Sequence, residues 1–189
     1  MFLVGSNHSG AWISGTGAVL ENASLLKKVG VPRELFPIAS VLSNCLHLLI
    51  QFGLLLTIAL FSGFRVTPVW LWLPVIWVLE IAFTCGLALA TASINVYVRD
   101  TRYVVESINT VLFWMVPIFY SFSSVPKQFT ELYQFNPIAA IVLAMRQVIL
   151  DDRAPSDVLM YKALLVSCVS LVVGALLFRR LKRRFYDYL

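Results

Sequence analysis

His47 and Glu80 are titratable side chains that sit inside long apolar runs. An ionisable group buried in a membrane is costly, so it points to a proton relay, an ion path or a buried polar contact. Neither group has a partner set that would make an enzyme. Paired acids, or a Ser and a His at matching depth, would be needed for an intramembrane hydrolase, and no Ser-His-Asp set can be defended. There is no HExxH metal helix, no GxSxG elbow and no GxxxxGK[ST] loop to cradle nucleotide phosphates. Cys45, Cys85 and Cys168 lack metal-ligand spacing and read as small apolar packing residues. No catalytic residue, no metal site and no bound cofactor is therefore expected in this chain.

Further polar residues fall in stripes. Ser40, Asn44, His47 and Gln51 follow steps of four, three and four. Glu80, Thr84, Ala88, Thr91 and Asn95 share one helical face, as do Glu106, Thr110, Trp114, Pro117 and Ser121. Ser167, Ser170 and Gly174 form the last stripe. Spacings of three and four put residues on one side of a helix. Lipid penalises such faces, which leaves two readings: hydrogen-bonded glue between helices, or the lining of a path. Asn44, His47, Gln51, Glu80, Thr84, Trp114 and Tyr120 are the channel-lining candidates. The favoured reading of His47 is a buried imidazole bonded to Gln51 or a neighbour, ahead of a proton relay, and Glu80 has an alternative place near the outer end of its span. Trp70, Trp72 and Trp77 fit an aromatic belt at the outer interface, with sugar stacking second.

The elements that must hold these stripes are transmembrane helices. Of the residues, 59% are hydrophobic and 13% charged, against about 25% charged in soluble domains. Apolar residues dominate 38–62, 70–97, 104–122 and 159–178, each near the roughly 20 residues that cross a bilayer. Pro117 predicts a kink in the third. The expected fold is all-α: a polytopic bundle of four full spans, with a partial span at 1–19.

Charge then orients the bundle. Residues 20–36 carry Lys27, Lys28 and Arg33; 63–69 carry only Arg65; 98–103 carry Arg99 and Arg102. The long segment 123–158 has Lys127, Arg146 and Arg153, and the tail 179–189 has Arg179, Arg180, Lys182, Arg183 and Arg184. The positive-inside rule puts 20–36, 98–103 and the tail in the cytoplasm. The basic tail can touch anionic lipid; the cations make no single face for nucleic acid. Residues 137–150 are apolar but too short to cross, and a fifth crossing would move the tail outside. Segment 123–158 is thus expected to hold two short outer-face helices. Pro126 starts the first; Asn136 as cap and Pro137 as first residue start the second.

One connector carries a more specific pattern. Asn22, Leu25, Leu26, Lys28, Pro32, Arg33 and Pro37 resemble the first cytoplasmic loop of ABC transporter type-2 permeases. The similarity is nearest to the subgroup that exports polysaccharide, O-antigen, capsule or teichoic-acid-type polymers. Asn95, Val96, Arg99 and Asp100 resemble that family's Asn-Val-x-x-Arg-Asp turn. Phe113, Trp114, Pro117, Ile118 and Tyr120 resemble its Phe-Trp-x-x-Pro-Ile-x-Tyr stretch, and Asn136, Pro137 and Arg146 its Asn-Pro…Arg segment.

The resemblance implies a role for each place. Residues 22–36 become a coupling helix docked on a separate ATPase subunit, which binds ATP and Mg²⁺. Leu25 and Leu26 become its apolar knobs, Lys27, Lys28 and Arg33 its charged rim, and Arg99 and Asp100 a second contact. Asn136, Pro137 and Arg146 belong to an outer gate. A second permease copy, membrane lipid and a lipid-linked glycan substrate are the other implied partners, in a bacterial cytoplasmic (inner) membrane. Complete members resemble six-span proteins with an N-terminal interface helix; here that helix, the first span and most of the second are expected to be missing. Other readings are a type-2 permease for a drug or lipo-oligosaccharide, and a truncated, non-transporting membrane scaffold.

Overall fold

The computed structural model describes residues 2–28, 31–61, 67–115, 137–149 and 151–187. These form helices α1 (Phe2–Glu21), α2 (Ala23–Lys28), α3 (Leu35–Phe61), α4 (Trp72–Asn95), α5 (Thr101–Met115), α6 (Pro137–Ile149) and α7 (Asp157–Leu181). Short 3₁₀ turns at Pro68–Leu71 and Lys182–Asp187 precede α4 and follow α7. Among the described residues there are no strands.

Three stretches are long and apolar enough to cross a membrane: Leu35–Ile58, Pro68–Asn95 and Asp157–Phe185. They match three of the four expected spans. The fourth, 104–122, is described only as far as Met115, within α5. The first long helix starts at Leu35, before the expected 38, because Pro37 lies in its first turn. There its missing N–H breaks no hydrogen bond. Of residues 1–19, expected to be the end of a span, those from Phe2 onward form a helix that runs to Glu21 and packs into the bundle.

α4 is the axis. Of its most apolar window 56% is buried, against 6% for α3 and 22% for α7. It packs on α7, α1, α3, α6 and α5. The α4–α7 crossing is made by glycines. A Cβ on Gly86 would run into the backbone of Ser170 and Leu171, and one on Gly174 into the backbone of Gly86. Small residues permit this approach, and the van der Waals contact it allows is a main source of helix association in lipid. The Ser167 hydroxyl donates to the Leu79 carbonyl at 2.8 Å, and that of Ser170 to Phe83 at 3.1 Å. The last stripe is therefore helix glue.

α6 is the apolar segment judged too short to span. Ile138 to Met145 are all buried, as expected for a helix apolar on every side. It packs chiefly on α7 and α4. The expected first outer helix, starting at Pro126, lies outside the described residues.

Candidate functional site

Two regions hold the residues singled out by sequence. The first is one end of the bundle, where the connectors 22–36, 96–102 and 182–187 meet. Asn22 breaks α1 from α2. Its amide donates to the Ala18 carbonyl at 2.8 Å, and its own carbonyl accepts from Leu25 and Leu26 at 3.1 and 3.0 Å. α2 then sends its two leucines in opposite directions. Leu25 is 50% exposed, whereas Leu26 is 7% exposed and packs with Val19, Leu89, Phe178 and Phe185. The reading of both as outward knobs is thus corrected: Leu26 anchors α2 to the bundle. Lys27 lies on α2, and Lys28 is exposed.

Pro32 and Arg33 form the turn into α3, the Pro32 carbonyl accepting from Leu35 at 3.1 Å. Arg33 is more than a rim charge. Its Nη1 donates to the Lys182 carbonyl at 2.9 Å, and its guanidinium lies 5.8 Å from the Phe185 ring centroid, a cation–π contact. Lys182 pairs with Glu34. Partial burial pushes the Glu34 carboxyl up, but the Lys182 hydrogen bond, its own backbone and the Lys182 and Arg179 charges outweigh this and hold it below the usual range. Tyr97 donates to the Leu181 carbonyl at 2.7 Å. The tail is therefore folded back, with Phe185 wholly buried, rather than a free basic strand. Between these parts lies an open groove of about 790 Å³, with Arg33, Arg179, Lys182 and Arg183 at its rim and Leu26, Leu35 and Leu89 among its apolar walls. Arg99 and Asp100 are exposed just before α5, and Arg102 reaches Glu21 at 2.9 Å and Glu106 at 3.4 Å. At the opposite end Thr67 bonds Asp152.

The second region is the polar interior. The α4 stripe faces α1. Thr84 Oγ1 lies 2.8 Å from His8 Nδ1, and Thr91 Oγ1 lies 2.7 Å from Thr16 Oγ1 and accepts from Trp12 Nε1 at 3.2 Å. Asn95 donates to the Thr16 carbonyl at 3.1 Å. The α1 partners went unnoticed in the sequence because a chain of Gly, Ser and Thr hides its helical period; the four-residue steps His8–Trp12–Thr16 were the available signal.

Glu80 is 5% exposed and near the middle of Pro68–Asn95, not at its outer end. His47 is exposed and makes no buried bond to Gln51, whose Oε1 has no partner among the described residues. The α3 stripe is split: Ser40 meets Ser14 at 2.9 Å and Asn44 donates to its own Ser40 carbonyl at 2.9 Å, while His47 turns away. Trp77 packs edge-on against Phe52 with centroids 4.6 Å apart. Trp114 lies on α5, Pro137 begins α6 and Arg146 is half-buried on α6; Tyr120 and Asn136 lie outside the described residues.

A family model for the ABC-2 type transporter matches residues 25–150. The chain belongs to the ABC-2 type transporter family. The match runs from within α2 to the end of α6. Among curated relatives of this ABC-2 chain, an O-antigen export system permease protein RfbA of Klebsiella pneumoniae is 27% identical over 175 residues. That alignment covers 90% of this chain and 66% of the relative. The RfbA protein of Myxococcus xanthus is 24% identical over 177 residues, covering 92% and 67%. The chain thus spans about two thirds of the length of the relatives it matches.

Proposed function

We propose that this chain is the membrane-spanning permease part of an ABC exporter that moves a lipid-linked O-antigen-type polysaccharide across a bacterial inner membrane. ATP, with Mg²⁺, is bound and hydrolysed by a separate ATPase subunit. The observation that carries the reading is α2. Leu26 is sunk into the bundle, so Leu25 and Lys28 are held outward on a short, fixed helix. An apolar knob beside a cation on a rigid element is what a partner groove can grip. Arg99 and Asp100, exposed on the neighbouring connector, supply a second contact.

This end faces the cytoplasm, as the excess of Lys and Arg in its connectors supports. Two copies form the path. The exposed apolar side of α3, with Leu42, Leu46, Ile50 and Leu54, is free to meet lipid or the second copy. Closing and opening of the ATPase pair would push on α2, and the pair Lys182–Glu34 and the Arg33 contacts tie α2 and α3 to the end of α7. The α6 segment, packed across α4 and α7, closes the outer side as a gate.

The test is reconstitution of the chain with its ATPase subunit in proteoliposomes. ATP-dependent passage of a lipid-linked polysaccharide is expected. ATP hydrolysis without passage, or no complex at all, would reject the reading.

A further inference from the structure

We propose that a gap enclosed by α1, α3 and α4 is a hydrated proton-binding site, in which water bridges His8 to Glu80 and one exchangeable proton is shared between them. The gap has a volume of about 90 Å³ and is lined by His8, Val41, Cys45, Trp77, Glu80 and Thr84, among others. His8 is 3% exposed and Glu80 5%. Neither was needed for the docking face.

Thr84 has one hydroxyl proton, and its Oγ1 lies 2.8 Å from both the Glu80 carbonyl and His8 Nδ1. In the proposed arrangement that proton goes to the carbonyl, so Oγ1 accepts from His8 and the imidazole proton sits on Nδ1. His8 Nε2, buried with no partner among the described residues, is then a bare acceptor. Phe83 holds the ring in place, stacked at 5.5 Å between centroids. Trp77 Nε1, on the same gap, is a buried donor that likewise lacks a partner.

An acceptor, a donor and a carboxyl around one gap meet the requirement of two to four polar partners for a buried water. The volume exceeds the roughly 10–15 Å³ that one water needs. A carboxylate alone at this depth is costly. A proton on the Glu80 carboxyl removes that charge and can be passed through water to His8 Nε2, giving imidazolium and carboxylate with no change in net charge.

The other titratable group lining the gap is Cys45 of α3, and Cys85 of α4 packs beside it. From α6 only Ile138, Ile141 and Val142 approach, across a narrow gap against His8 and Glu80. α6 thus lies over the proton with an apolar face. Loss of the proton would put an uncompensated charge under that face and loosen it.

The test is infrared spectroscopy of the full chain in lipid nanodiscs. A carboxylic-acid C=O band is expected that shifts in D₂O, disappears in Glu80→Gln and moves in frequency in His8→Asn. Absence of the band, or a band indifferent to His8→Asn, would overturn the proposal. Should Glu80→Gln fail to assemble, nitrogen NMR of a His47→Ala chain, whose single remaining histidine is His8, decides the matter. The Nδ1–H tautomer supports the site, and the Nε2–H tautomer contradicts it.

Discussion

The two faces of α4 hold their neighbours by different means. Toward α7 the contact is backbone on backbone, at Gly86 and Gly174, with two serine hydroxyls bonding to carbonyls. Toward α1 the contact runs through side chains: Thr84 and Thr91 meet those of His8, Trp12 and Thr16, Asn95 donates to the Thr16 carbonyl, and Gly15 lies against the Ala88 side chain. The first face has no spare room and no unsatisfied group among these residues. The second encloses a gap with unpartnered His8 and Trp77 nitrogens. A stripe of small polar residues can therefore mean a rigid seam or an adaptable one, and backbone-on-backbone glycine contact, at Gly86 and Gly174, marks the rigid one. The rigid seam fixes the frame, and the adaptable one is where water and protons can enter.

Substitutions can break this contrast, and the largest effect belongs to the rigid seam. Gly86→Val should drive a side chain into the Ser170 backbone, which cannot rotate away. A loss near or beyond the upper end of the ~1–3 kcal/mol of overpacking is expected, read as collapse of the melting temperature in detergent. On the adaptable seam, Thr91→Val removes the bonds to Trp12 and Thr16 but leaves the shape. A cost of ~1 kcal/mol is expected in the same melt, in the range for polar contacts between membrane helices. If Thr91→Val costs as much as Gly86→Val, the contrast fails.

Smaller still is the Glu34–Lys182 pair at the connector end. Because the folded Glu34 carboxyl lies below its ordinary range, its contribution is present above the unfolded value and is lost as pH falls through the folded one. Both partners are partly exposed, so the effect is at most about 1 kcal/mol. A Glu34→Gln chain should show a shallower acid-side fall in melting temperature than the parent. The smallest effect is His47→Ala, on the exposed side of α3, expected within about 0.5 kcal/mol of the parent.

Much of the frame was legible in the residues. Unbroken apolar runs located α3, α4 and α7, and the charge pattern sorted the connectors between two ends. Length, together with the side to which a fifth crossing would move the tail, kept 137–150 from being read as a span. Periodicity found the α4 stripe but could not say what it faced, because the partner was a Gly- and Ser-rich stretch with little hydrophobic contrast. It also treated the two histidines unequally: His47 sits in a clean run and drew notice, yet it is exposed, while His8 lines the same gap as Glu80. Neighbouring leucines on a short helix look alike in sequence. Only the packing of Phe178 and Phe185 against Leu26 separates anchor from knob.

That separation is the central claim, and it is tested by comparing Leu25→Asp with Leu26→Asp in one experiment: co-purification with the ATPase subunit alongside a thermal melt of each permease. The account predicts that Leu25→Asp keeps the parent melting temperature and loses the ATPase, while Leu26→Asp lowers the melting temperature itself. Retention of the ATPase by a stably folded Leu25→Asp chain would contradict it.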